Sequence, residues 1–306
     1  MKKEYKANII TRRDFLRGTA YGSLSLVLGL QGTKTLSWAD ETPTQYTRSN
    51  QLGKVVLVRS DAAVGKNHSI NPEAVAKMID TAVKTLANND DIIEAWQNYI
   101  RPADKVGVKF SDCSWMRVPT ERAVVDAIVK RISDIGVSKR RIYPKDYHLP
   151  FKKCTALINV PSVKIHSLTG LAAALKNYIN FTKKESSYHF HGSVKLGGIW
   201  NLPKIKGKTR LVIVDALRPY FGPGPQINPL YRWDYKGILV GTDPVAVDTV
   251  CLAICQAKRN LFRGEKWPIT PPPKHIVAAD TTYKLGTSDP SKIGLIKKGW
   301  ERDILI

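Results

Sequence analysis

The 306-residue chain carries 48 Lys plus Arg against 26 Asp plus Glu, a formal net charge of +22. That balance favours anionic partners such as phosphates, carboxylates, anionic lipid or cell-wall polymers. Nucleic acid is the usual partner of so basic a chain, but no helix-turn-helix, RRM or zinc-finger pattern is present, and a nucleic-acid partner is set aside.

The first residues read as an address. Thr11-Arg12-Arg13-Asp14-Phe15-Leu16-Arg17 looks like a twin-arginine (Tat) signal, followed by a weakly apolar stretch from Gly18 to Leu30 and by Ser37-Trp38-Ala39, small residues where a signal peptidase would cut. About a dozen apolar residues fall short of the about 20 needed to span a bilayer, and no transmembrane segment is expected elsewhere. Residues 1–39 are thus expected to be a signal peptide, cleaved or kept as an anchor, and 40–53 a polar linker. The partner so implied is the Tat translocase, and the location periplasmic or extracytoplasmic. Without residues 1–39 the chain keeps 41 basic and 24 acidic residues, a charge of +17.

Residues 54–306 read as one domain. Lys54 to Arg59 is a β-branched strand. Asn71-Pro72-Glu73 opens a helix with an N-cap, a proline at N1 and an acid in the first turn; a shorter helix follows from Ile92 to Ile100. Asp104 to Phe110 predicts a second strand, Pro119 to Ile135 a helix ended by Gly136, and Arg141-Ile142-Tyr143 a short strand. Leu157-Ile158-Asn159-Val160 is an apolar strand ended by Pro161, which has no N–H for a ladder. A polar turn carrying Lys164, His166 and Thr169 follows, and from Leu168 the pattern predicts a helix holding Lys176 and Asn177.

Residues 183–208 form an atypical, glycine-bearing insertion suited to a lid or crossover. If it is extended, His189 and His191 share a face and permit a metal pair, with His166 as a further ligand; ordinary loop histidines are the alternative. Thr209 to Ala216 is a buried strand ending in Asp215, and Gly237 to Gly241 another, leading to Asp243, which can cap a helix starting at Pro244. Asp248 lies more than a turn inside that helix. A helix near 273–283 and an edge strand near 292–296 close the chain. The alternation predicts an α/β fold with a mainly parallel sheet and helices on both faces. In such a sheet Lys164, His166, Thr169, Asp215 and Asp243 would all follow strand ends pointing one way and converge.

Two segments carry a family resemblance. Val160-Pro161-Ser162-Val163-Lys164-Ile165-His166-Ser167-Leu168-Thr169-Gly170, followed by Ala174-Leu175-Lys176-Asn177, resembles the V-P-x-x-K-x-H-x-x-T-G and A-L-K-N signature of the DUF362 family. Gly241-Thr242-Asp243-Pro244-Val245-Ala246-Val247-Asp248 is similar to its second signature, G-x-D-P-V-A-V-D. The likeness covers roughly Lys54 to the C-terminus. The family's first strand commonly continues K-P-N, where this chain has Lys109-Phe110-Ser111, so only Lys109 carries over. Its G-D-S becomes Pro144-Lys145-Asp146, which keeps the acid. Some relatives carry iron–sulfur modules; Cys113, Cys154, Cys251 and Cys255 match no cluster-binding spacing, and small buried thiols are the simpler reading. The cofactor is left unnamed.

Lys164 and His166 are the candidate catalytic residues. Thr169, Lys176, Asn177, Asp215, Asp243, Asp248 and Lys109 are the candidate ligand-binding residues. A lysine, an imidazole and a hydroxyl in one turn suit a phosphate or carboxylate; a well-bonded connection is the alternative. The functional expectation is an exported protein binding a cofactor or small anion, with redox chemistry open to it; the alternative is a non-catalytic binding protein or an accessory factor for assembly of another exported redox protein. Changing both Arg12 and Arg13 to Lys is expected to leave the protein in the cytoplasmic fraction; periplasmic accumulation unchanged by the pair would overturn the export assignment.

Overall fold

The computed structural model describes residues 53–112, 118–224 and 227–306. The expected signal peptide, nearly all of the expected linker and Cys113 lie outside the described residues. The chain divides into units 1–47 and 48–306, and all described residues belong to the second.

Among the described residues nine strands build one sheet: β1 (Lys54–Arg59), β2 (Val106–Phe110), β3 (Ile142–Lys145), β4 (Ala156–Val160), β5 (Ser162–His166), β6 (Gly170–Ala172), β7 (Thr209–Tyr220), β8 (Gly237–Gly241) and β9 (Gly294–Gly299). Their order is β3-β2-β4-β7-β8-β1-β9, with β5 paired to β7 and β6 to β5. The sheet is mixed and mostly parallel. The β1–β9, β2–β3, β2–β4, β4–β7 and β5–β7 pairs are parallel, while β1–β8, β5–β6 and β7–β8 are antiparallel. All five strands read from apolar runs share this sheet.

Period-two alternation sends successive strand residues to opposite faces. Val56, Val58, Val108, Ile158, Ile213 and Val240 pack against α1 (Pro72–Ala87), α2 (Ile92–Gln97) and α3 (Arg122–Asp134). Val55, Leu57, Leu157, Val212, Val214 and Leu239 pack against α4 (Leu196–Trp200), α5 (Pro244–Arg263) and α6 (Lys274–Thr281). Helices therefore cover both faces, which explains why the strands read as continuous apolar runs. The caps follow the sequence: Asn71 Oδ1 accepts from Glu73 and Ala74 N–H at 3.1 and 3.2 Å, and Asp243 Oδ1 from Val245 and Ala246 N–H at 2.8 and 2.9 Å.

Three expectations are corrected. No helix starts at Leu168: the chain turns into the β5–β6 hairpin, then a 3-10 stretch from Lys176 to Phe181. Gly170 sits at φ +79°, and a Cβ there would lie 2.3 Å from the Pro271 carbonyl oxygen, so the backbone takes a path that a helix does not. Residues 183–208 are not extended but pass through 3-10 turns at Glu185–Tyr188 and Phe190–Lys195 into α4. Finally, β8 runs antiparallel to β7, so its C-terminal end, with Asp243, points away from the ends of β4 and β7.

Candidate functional site

At the end of β4, Pro161 closes one strand and the chain re-enters the sheet as β5 beside the long strand β7. Ser162, Lys164 and His166 alternate along β5 and all line a cavity of about 250 Å³. Lys109, from the end of β2, Asp146, just past β3, and Lys176, Asn177 and Asn180, from the 3-10 stretch, complete its floor and wall. Glu185 and His189 reach it from the 183–208 segment.

The floor is a buried polar network. Lys109 Nζ donates to Asp146 Oδ1 at 2.5 Å and to the Phe110 carbonyl at 2.9 Å. Asp146 also accepts from Asp112 N–H at 2.6 Å and Asn180 Nδ2 at 2.8 Å. Asn177 Nδ2 donates to the Lys109 carbonyl and to Asn159 Oδ1, and Asn159 Nδ2 donates to the Ala174 carbonyl. Lys109 is 1% exposed and Asp146 8%, so this ion pair needs these extra bonds to offset desolvation. Lys164 is also buried, and donates to Ser162 Oγ at 2.7 Å, Ser111 Oγ at 3.2 Å and the Val118 carbonyl at 3.3 Å.

His166 is a neutral donor. Leu168 N–H donates to its Nδ1 at 3.1 Å, which places the proton of the uncharged ring on Nε2. Burial, then the neighbouring Lys176, His189 and Lys164, push its pKa down to about 3. The His189 ring lies parallel to it at 5.5 Å, and burial followed by Lys176 lowers His189 as well. Beneath them His275 is fully buried, with both ring nitrogens lacking a hydrogen-bond partner, and burial and then Lys176 push it to about 3.

Of the residues singled out in the sequence, Lys109, Asp146, Lys164, His166, Lys176, Asn177 and His189 line this cavity. Thr169 instead donates to the Leu171 carbonyl. Asp215 caps α3 from the sheet, accepting from Glu121 N–H at 2.6 Å and from Leu217 N–H at 2.9 Å, and burial lifts its pKa to about 6. Asp243 holds the start of α5 and accepts from Thr287 N–H. Asp248 accepts from Ala174 and Leu175 N–H at 2.7 and 3.0 Å, and burial lifts it to about 7. Asp243 does not converge with Lys164, because β8 is reversed; Asp215 pairs in register with Ser162, to which Lys164 donates, but its carboxylate is bound to backbone N–H groups and it is not among the cavity-lining residues. His191 is exposed, outside the cavity lining, because its segment is a 3-10 turn and not a strand. Among the described residues no group of three or more His, Cys, Asp or Glu is placed to hold a metal ion. Ser111, Asn180, Glu185 and His275 were not singled out in the sequence; isolated polar residues in separate segments carry no spacing that would connect them.

The described cysteines do not fit an iron–sulfur cluster. Cys154 lies against Gly107, while Cys251 and Cys255 sit on α5 near Tyr235. All three are buried, and burial pushes each thiol up, Cys154 to about 11 and Cys255 to about 12.

Residues 108–253 match the family model of the domain of unknown function DUF362, so the chain carries a DUF362 domain. Neither the comparison with curated proteins nor the comparison with solved structures gave a match.

Two consequences can be measured. Lys109→Met leaves the Asp146 carboxylate buried without its cation and is expected to cost about 3–5 kcal/mol in urea unfolding, part of which the double variant with Asp146→Asn recovers; additive losses would contradict the pairing. The second concerns pH. The native His275 pKa of about 3 lies below the unfolded value of 6.5, so between them the unfolded chain holds a proton the native protein does not. The stability His275 permits is complete above pH 6.5 and is lost as pH falls toward 3, at about 1.4 kcal/mol per pH unit. Asp215 and Asp248 act with the opposite sign above pH 3.8, since their native values are raised, so wild-type stability alone hides the effect. The difference between His275→Phe and wild type isolates it: the variant gains relative stability as pH drops below 6.5, and a pH-independent difference would contradict a neutral buried imidazole.

Proposed function

We propose that this DUF362 protein is exported by the Tat pathway and binds a small carboxylate- or phosphate-bearing molecule in the β5 cavity. The observation that carries the binding reading is the charge of the lining. Lys109, Lys164 and Lys176 face one space, with Asp146 and Glu185 the carboxylates among its described lining residues, and Asp146 is bound to Lys109. A cavity of about 250 Å³ lies just under the roughly 300–1,000 Å³ of typical ligand pockets, which suits a small ligand.

The roles follow from the chemistry. Lys164, whose N–H groups donate to Ser162, Ser111 and Val118, supplies charge at a distance, and Lys176 supplies charge from the wall. His166 presents Nε2–H as a neutral donor. With its pKa about 3 it is a poor proton acceptor at neutral pH, so binding is favoured over general-base catalysis. Asn180, a lining residue, has its Oδ1 buried without a hydrogen-bond partner, which supports a ligand that carries a donor such as a hydroxyl. Glu185 and His189 bring the 183–208 segment over the cavity, the position a lid occupies.

Native purification followed by mass spectrometry of released small molecules, with calorimetric titration of inorganic phosphate, tests this. Lys164→Met is expected to abolish retention of the native ligand and weaken phosphate binding by at least about tenfold, with a smaller loss for His166→Gln. If both variants fold, are exported and retain every ligand of the native preparation, the β5 motif is structural.

A further inference from the structure

Away from the cavity, the segment after β7 meets the C-terminal turns of α5 in a cluster of aromatic rings. Phe221 packs edge-on against Tyr231 at 5.5 Å, Trp233 at 5.3 Å and Phe262 at 5.2 Å, and Tyr231 packs against Phe262 at 5.5 Å and Trp267 at 5.9 Å. Arg259 fixes the base. It donates to the Phe221 carbonyl at 2.8 Å and the Trp267 carbonyl at 3.0 Å, and its guanidinium lies 3.8 Å from the Trp267 ring centre. On the outside of this rigid base stand three apolar side chains, Leu230 (63% exposed), Leu261 (63%) and Phe262 (44%). The Tyr231–Phe262 contact brings their two segments together. Lys258, Arg263 and Lys266 flank them, and the acid in that turn, Glu265, is paired with Arg263 at 2.8 Å.

We infer that this face docks the protein on an anionic lipid bilayer, with Leu230, Leu261 and Phe262 inserted among the lipids and Lys258, Arg263 and Lys266 at the headgroups. Apolar tips above a layer of Tyr and Trp, flanked by Lys and Arg, have the composition of an interfacial anchor. The excess of basic charge complements an anionic leaflet. Area argues against a stable protein partner or a second copy: three exposed side chains offer a few hundred Å², below the roughly 1,000 Å² of a stable interface, but enough for shallow insertion. The segment that carries Leu230 also contributes Gly224 and Ile227 to the cavity lining, so docking would set the anion site beside the membrane surface. The proposal does not depend on that site binding anything.

Hydrogen exchange of the full chain with vesicles of phosphatidylcholine, with and without phosphatidylglycerol, tests it. Peptides covering 227–233 and 258–267 are expected to gain protection only with phosphatidylglycerol, and the effect should fade at high salt. The triple variant L230S/L261S/F262S should bind these vesicles at least about tenfold more weakly, and K258Q/K266Q should lose preference for the anionic lipid. The residue 18–30 stretch is common to all variants, so their difference isolates this face. Absence of protection there, equal protection on phosphatidylcholine alone, or protection that rises with protein concentration without lipid would overturn it, the last assigning the face to a second copy.

Discussion

The Lys109–Asp146 ion pair is the constraint around which the cavity end of the sheet is arranged. Two opposite charges are buried where β2 and β3 end, and each carries a desolvation penalty of several kcal/mol that one contact does not offset. The surrounding chain supplies the rest. Asp112 N–H and Asn180 serve Asp146, the Phe110 carbonyl and Asn177 serve Lys109, and Asn159 ties Asn177 back to β4. These bonds fix the 3-10 stretch from Lys176 to Phe181 against the sheet, and so place Lys176, Asn177 and Asn180 around the cavity. Specificity of geometry, more than stability, is what such a network contributes.

Two further carboxylates do similar work with backbone partners. Asp248 reaches from α5 to the N–H groups of Ala174 and Leu175, and Asp215 reaches from β7 to the start of α3. Both are raised by burial, yet each accepts two N–H bonds that favour the charged form. The second family signature has a structural part here: Asp243 caps α5 and Asp248 fastens the other signature to that same helix. The two signatures belong together because one holds the other in place.

Much of the fold was legible. Apolar runs marked β1, β2, β4, β7 and β8 because helices cover both faces, and Asn71 and Asp243 announced their helices through capping chemistry. Strand direction was not legible in the runs themselves, since an apolar segment reads alike in either direction. A cue existed in the connection. A parallel crossover uses a dozen or more residues, usually a helix, whereas the residues between Tyr220 and Gly237 begin Phe221-Gly222-Pro223-Gly224 and hold only a 3-10 turn at Pro229–Tyr231 among those described. The Leu168 helix failed differently. Its periodicity was real, since Leu171, Ala174, Leu175 and Tyr178 are buried, but Gly170 at positive φ and the Asp248 anchor impose a hairpin followed by a tighter helix.

The site was legible only in part, for a related reason. Lys164 and His166 stood out because they share one short strand, and alternation alone puts them on one face. Asp146 was legible only as an acid kept from the family pattern, and Asn180 and Glu185 carried no signal; they meet Lys164 and His166 around the cavity only once the sheet is assembled. Their meeting changes what the motif can do. Burial first, then Lys176 and Lys164 beside His166 and Lys176 beside His189, disfavour imidazolium in both rings, so His166 presents a neutral Nε2–H. A histidine that reads as an acid/base candidate in a turn becomes, once buried beside cations, a neutral ring that takes up a proton only well below neutral pH.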